Sequence, residues 1–519
     1  MSARETEPSP SDPGLSRGMQ RLFGVLGRIE VVGNKLPHPF WLFWILSGVL
    51  ALLSWLLSSL DVSAVDPSTG DTVAVQNLLS AAGVQVVLGD ALTNFATFPP
   101  LATIIVVLLG VAVAERSGLL EAVMRASVAR VPASLVTFAL SFTAMVAHVA
   151  GDSAFIVLVP LGALVFRAVG KSPVLGVVVA FVSVSAGYDA SPLLTTTDVL
   201  LSGLTTAAAQ TVDAGITVTA VDNYFFGLGS SVVLALTITL FVEKVLSRRP
   251  DLEADADAET GDAESLRLAP QESRGLRNAG IALLVFVLLV VAAMVPTSSP
   301  LRGEGGSLVE STLVASIAYV LGVLFTLLGY VYGRTAGTVA GPREVPEMMA
   351  EGVRQLAPIL VLFFAISQFL AYFKWTGIST VLAVNGSEVL QRLDAHPLLV
   401  LLGVVVMVTL INLVVTSGSA QWALVAPVVV PMLMYVDIPP QTTQAVYRIA
   451  DSCTNAITPM SPYFVLALGY VQRYRKDAGI GTLLSFTVPV VLVMLVVWCT
   501  FFAVWYLLGI PLGPGAPVR

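Results

Sequence analysis

Ala150-Gly151-Asp152-Ser153 and Thr416-Ser417-Gly418-Ser419 are the two stretches whose reading decides the fold. Each is a polar, glycine-containing break inside an apolar region, 134–168 in the first case and 397–436 in the second. The apolar half on either side of a break has about 17 residues, the lower limit for crossing the hydrocarbon core as a helix. Glycine allows a reversal there at low steric cost. Each region is therefore a re-entrant hairpin or a pair of ordinary spans, and the hairpin reading is preferred.

Outward from these breaks lie nine further apolar runs: 39–60, 98–116, 172–190, 224–246, 278–296, 311–333, 354–375, 445–470 and 482–510. Of the 519 residues, 56% are hydrophobic and 12% charged, about half the charged share of a soluble domain. Only helices satisfy every backbone group within one lipid-exposed segment, so runs this long predict a helical bundle and not a barrel. The fold expected is an all-α polytopic membrane protein, with nine transmembrane helices and two re-entrant helical hairpins in an inverted repeat.

Loop charge orients the chain. Lys and Arg gather in cytoplasmic loops, and here they gather in 4–35, 116–130, 167–171, 244–277, 334–354 and 473–476. Loops 61–97 and 199–223 have neither residue. The N-terminus is therefore expected in the cytoplasm of a bacterial inner-membrane protein. Hairpins and paired spans both return the chain to the same side, so charge does not separate them. Residues 1–35 are read as a disordered tail with an amphipathic lead-in, 36–246 as a first half and 247–277 as an acidic, solvated linker. Residues 278–511 form a second half and 512–519 a tail. Much of the net charge of −7 comes from the stretch Asp251 to Glu264 within the linker. Cys453 and Cys499 offer neither a disulfide framework nor metal-ligand spacing. No basic patch suggests nucleic acid, and no nucleotide loop or nucleophile elbow suggests an enzyme.

A shift of 267 residues superposes the two halves without gaps. Gly151 then meets Gly418, Phe155 meets Trp422, and Pro160, Pro173 and Pro192 meet Pro427, Pro440 and Pro459. The coincidences fall on helix breakers, which apolar composition does not require. The spans before the hairpins lie five places apart, an odd number, so the halves have opposite orientation. Inverted repeats with broken helices mark secondary transporters, whose ligands sit near the midplane where the breaks meet.

Charges within spans are costly and face cavities or partners. His148 and Asp152 lie four residues apart on the first hairpin, as a proton relay or a structural pair. Arg448 and Asp451 share one helix face, either as a structural ion pair or with Arg448 free for a carboxylate, which its planar fork binds with two hydrogen bonds. Asp198, in Thr195-Thr196-Thr197-Asp198, suits a helix cap. Asn455 and Thr458, with carbonyls freed at Pro459, offer oxygen ligands to Na⁺. Asp152, Asn412, Ser417, Gly418, Asn455 and Thr458 are the candidate ion-coupling residues. Trp422 offers a ring for stacking, or simple packing.

These motifs resemble the p-aminobenzoyl-glutamate transporter family. The resemblance is carried by 33–39 (Gly-Asn-Lys-Leu-Pro-His-Pro), 150–155 (Ala-Gly-Asp-Ser-Ala-Phe), Ser191-Pro192-Leu193-Leu194 with Thr197-Asp198, 417–422 (Ser-Gly-Ser-Ala-Gln-Trp), 448–452 (Arg-Ile-Ala-Asp-Ser) and 454–463 (Thr-Asn-Ala-Ile-Thr-Pro-Met-Ser-Pro-Tyr). It runs from about residue 19 to 511. It implies nine spans, two hairpins, a homodimer, and movement of p-aminobenzoyl-glutamate or sulfonamides driven by an H⁺ or Na⁺ gradient. It also implies substrate-binding roles for Asp198, Ser419, Trp422, Arg448, Asp451 and Pro459. An acid and a proline in Tyr188-Asp189-Ala190-Ser191-Pro192 depart from the family pattern. Sulfonamide efflux and dicarboxylate:cation symport are the alternative functions. No cofactor is expected beyond a coupling ion.

Overall fold

The computed structural model describes residues 37–519 apart from 68, 129–130, 250–251, 253, 256–266, 309–310 and 460. The expected tail at 1–35 lies outside the described residues. In chain order the principal helices are α1 (Pro39–Ser59), α2 (Ala81–Gly89), α3 (Pro99–Arg116), α4 (Leu119–Val128), α5 (Val136–Val146) and α6 (Ser153–Ala168). There follow α7 (Pro173–Ala186), α8 (Thr196–Ala209), α9 (Tyr224–Lys244), α10 (Pro270–Met294), α11 (Ile317–Ala336) and α12 (Val345–Trp375). The chain ends with α13 (Ile378–Arg392), α14 (Pro397–Asn412), α15 (Gly418–Met434), α16 (Pro440–Thr454), α17 (Pro462–Gln472) and α18 (Ile480–Leu508). A two-stranded antiparallel ribbon, β1 (Ser63–Val65) with β2 (Thr72–Ala74), sits between α1 and α2.

Proline starts many of these helices. Pro39, Pro99, Pro173, Pro270, Pro397, Pro440 and Pro462 stand at the first helical position. Its missing N–H costs nothing there and its fixed φ suits the helix. The three proline pairs of the repeat each have one role. Pro173 and Pro440 open α7 and α16, Pro160 and Pro427 lie inside α6 and α15, and Pro192 and Pro459 fall in breaks. At an offset of 267, the starts of α6, α7 and α8 fall within two residues of those of α15, α16 and α17.

Seven helices among the described residues are long and apolar enough to cross a membrane. They coincide with seven of the nine expected spans. The other two, 172–190 and 445–470, are interrupted: α7 and α8 flank residues 187–195, and α16 and α17 flank 455–461. A helix of 14 residues is only about 21 Å long, short of the roughly 30 Å hydrocarbon core. The short helices are nevertheless the deepest elements. Every residue of α7, and every residue of α16 except Gln441, is buried, whereas α10 is almost bare.

Three expectations need correction. Residues 199–223 are not simply an outside loop, because α8 occupies Thr196–Ala209 and packs against α3 and α15. Its apolar run is short because the break divides one stretch into two. The linker is not wholly solvated. Leu252 is buried, its carbonyl accepts a 2.5 Å bond from Ser172 Oγ, and Asp255 N donates to Tyr474 O at 2.8 Å. The linker also ends early, since α10 begins at Pro270. Finally, 512–519 is packed. Leu512 and Val518 are buried, and their carbonyls accept from Phe226 N and Thr442 Oγ1.

Candidate functional site

All four interruptions meet around one cavity of about 800 Å³. Gly151, Asp152 and Ser153 come from the α5–α6 break, and Thr416 to Ser419 from the α14–α15 break. Tyr188, Thr196 and Thr197 come from the break after α7, and Asp451 and Asn455 from the end of α16. Gly151 and Gly418 thus face the same space, as the repeat demands. Each glycine is required for a different reason. Gly151 has φ +53°, a left-handed conformation that side chains resist. At Gly418 a Cβ would sit 2.6 Å from Asp451 Oδ2, so only glycine lets the tip approach that carboxylate.

The buried charges pair across the two halves. Arg448 Nη1 donates to Asp198 Oδ1 at 2.7 Å, and Asp189 Oδ1 lies 3.8 Å away. The expected Arg448–Asp451 ion pair does not form among the described residues: the guanidinium turns toward the first half. Asp198 does two jobs. Its Oδ2 accepts from Thr195 N at 2.6 Å in a capping box that starts α8, where Thr195 and not the expected Asp198 is the N-cap, while Oδ1 holds Arg448. Ser452 Oγ donates to Arg448 O and accepts from Asp189 N. Arg448 Nε and Nη2, both Asp189 oxygens and Asp451 Oδ1 are buried and make no hydrogen bond among the described residues.

Beside this pair, Asn412 Nδ2 lies 2.6 Å from Asp451 O, 2.6 Å from Thr454 Oγ1 and 3.1 Å from Asn455 Oδ1. An amide nitrogen has two hydrogens, so three oxygens converge on two donors. Thr458 is buried, its hydroxyl without a partner among the described residues, next to Pro459 in the break. Ser417 and Ser419 hydroxyls are 3.3 Å apart at the tip.

Trp422 does not line the cavity. It is fully buried, tilted on Tyr447 with centroids 4.3 Å apart, and its Nε1 donates to Thr205 Oγ1 at 3.0 Å. Thr205 in turn donates to Gln444 Oε1 at 2.8 Å. Tyr447 hydroxyl donates to Gly418 O at 2.6 Å, tying the tip to α16. His148 packs edge-on to Tyr188, 5.2 Å away, whereas Asp152 faces the cavity. The sequence reading missed Glu115, whose carboxylate accepts from Ser153 Oγ and lines the cavity. Its position beside Arg116 at the end of a span made it look interfacial. Tyr463 was also missed as a site residue, although it lies in a quoted motif. Among the described residues the cavity wall carries three carboxylates, Glu115, Asp152 and Asp451, and no lysine or arginine.

Comparison with known proteins accords with this architecture. The model of the AbgT transporter family matches residues 24–519. The p-aminobenzoyl-glutamate transport protein of Escherichia coli (strain K12) is 35% identical over 492 residues, covering 94% of this chain and 96% of that protein. The crystal structure of the Alcanivorax borkumensis YdaH transporter superposes with a TM-score of 0.87 at 35% identity, over 92% of this chain and all of that one. Neisseria gonorrhoeae MtrF, described as illuminating a class of antimetabolite efflux pumps, superposes with a TM-score of 0.88 at 37% identity, over 95% of this chain and all of that one. The chain belongs to the AbgT family and is a multi-pass membrane transporter.

Proposed function

We propose that this protein is a cation-coupled carrier for an aromatic amide of glutamate, such as p-aminobenzoyl-glutamate, or a related anion. The observation that carries this reading is the cavity's charge. Among the described residues its wall bears carboxylates and no cation, while the buried guanidinium of Arg448, held by Asp198, leaves Nε and Nη2 without a hydrogen-bond partner. An anion entering alone meets repulsion; an anion entering with a cation does not. Na⁺ takes oxygen ligands, and unwound segments of broken helices supply them in transporters. The three oxygens that converge on Asn412 Nδ2 suit such an ion. In this reading α5–α6 and α14–α15 are re-entrant hairpins, the N-terminus is cytoplasmic, and Arg448 takes the substrate carboxylate once its hold on Asp198 loosens.

The name of the Escherichia coli relative supports p-aminobenzoyl-glutamate as the first ligand to try. The likeness to MtrF favours a second reading, export of aromatic antimetabolites such as sulfonamides. Flux of labelled p-aminobenzoyl-glutamate in proteoliposomes, under separately imposed Na⁺ and H⁺ gradients, tests the proposal. Saturable flux driven by one gradient is expected, lost in Arg448→Ala and Asp451→Ala proteins that still insert. Wild-type rates in both variants, or flux indifferent to either gradient, overturn it. Competition by succinate or citrate, but not by p-aminobenzoyl-glutamate, points instead to a dicarboxylate symporter.

A further inference from the structure

We infer that Phe155 and Tyr463 form the subsite for the aromatic ring of the ligand, the ring stacking on Tyr463 with Phe155 behind it. The inference deepens the carrier reading above and rests on it. The two rings are parallel, with centroids 4.0 Å apart and an interplanar angle of 9°. Both line the central cavity. Phe155 stands in the first turn of α6, just past one break, and Tyr463 in the first turn of α17, just past another. The stack therefore joins the two halves of the repeat where all the interruptions meet. Phe155 is buried and covers one face of Tyr463, while Tyr463 is half-buried and reaches the cavity with the rest of its ring.

A third flat ring extends this stack in the offset-parallel geometry that aromatic pairs favour. The polar end of the same ligand is then left to Ser417, Ser419 and Asn455, which line the same cavity. Trp422 cannot take that part in this conformation. It is fully buried, its N–H is engaged by Thr205 and it packs on Tyr447.

Titration calorimetry of p-aminobenzoyl-glutamate into purified, monodisperse protein tests the subsite. Tyr463→Leu and Phe155→Leu should each weaken binding roughly tenfold, the upper part of what an aromatic pair contributes. Tyr463→Phe keeps the ring and should stay within about threefold of wild type. That variant also separates the ring from the hydroxyl. Wild-type affinity in both leucine variants overturns the subsite. So does a Tyr463→Phe protein as weak as Tyr463→Leu, since the hydroxyl and not the ring would then matter. Saturable binding without gradient-driven flux removes the carrier reading and leaves the subsite standing. No binding by the wild-type protein removes the subsite itself.

Discussion

Phe155 and Trp422 stand 267 residues apart at matching positions of the two halves, each near the start of a helix at a glycine break. Phe155 lines the cavity and stacks on Tyr463; Trp422 is sealed between Tyr447 and Thr205. Tyr188 and Asn455, another matching pair, both line the cavity, one as a ring and the other as an amide. The charges divide more sharply. The first half supplies Asp152, Asp189 and Asp198, and the second supplies Arg448 and Asp451 at positions matched by Phe181 and Val184. The repeat builds four chain breaks around one space. Divergence between its copies then places most of the acids in the first half, the guanidinium in the second, and an aromatic stack across the seam where Phe155 meets Tyr463.

The largest expected effect comes from cutting the ion pair that joins the halves. Asp198→Ala leaves Arg448 buried with Asp189 as its nearest ion-pair partner and removes one half of the capping box of α8. Losing one partner of a buried pair costs about 3–5 kcal/mol. The variant should melt well below wild type in detergent and move no substrate. A double Asp198→Leu, Arg448→Met protein should regain much of the stability without regaining transport. Wild-type melting by Asp198→Ala would show that the halves are not held together by this charge pair.

The two tip glycines sharpen the comparison further. Gly418→Ala places a methyl against the Asp451 carboxylate, so transport should fall by more than tenfold while the protein still inserts. Gly151→Ala meets no neighbour within 4 Å but strains a left-handed residue by about 1–2 kcal/mol. It should lower the melting temperature more than the affinity for substrate. Equal losses of flux in the two variants would mean that the tips are functionally alike.

The smallest effect is expected at Trp422. Trp422→Phe keeps the ring on Tyr447 and loses one hydrogen bond to Thr205, worth about 1 kcal/mol. Melting should drop slightly and the KM for p-aminobenzoyl-glutamate should change less than about threefold. A KM raised tenfold or more would place the ligand ring at Trp422 instead of Tyr463.

Much of this fold was legible in the sequence because lipid leaves few options. Apolar runs marked the seven continuous spans, and glycine and proline marked the interruptions by number. The repeat could be read because helix breakers are fixed by backbone geometry and survive divergence. The site was legible only in part. Asp152, Ser417, Gly418, Ser419, Asp451 and Asn455 do face one cavity. Spacing along one helix suggested Arg448 with Asp451, but the nearer carboxylate comes from Asp198, 250 residues away. Periodicity places a residue on a face and says nothing of which distant element packs there. Glu115 was lost because its helix end looked interfacial, and α8 because a crossing divided in two offers no run of span length.

A structure determined with p-aminobenzoyl-glutamate bound would test most directly whether the four breaks make one carrier site. The account predicts the ligand between Asp152–Ser153 and Thr416–Ser419, with its ring on Tyr463 and its carboxylates toward Asn455 and the Arg448 side of the cavity. Ligand bound outside this space, or a bound form in which Gly151 and Gly418 no longer face a common cavity, would contradict it.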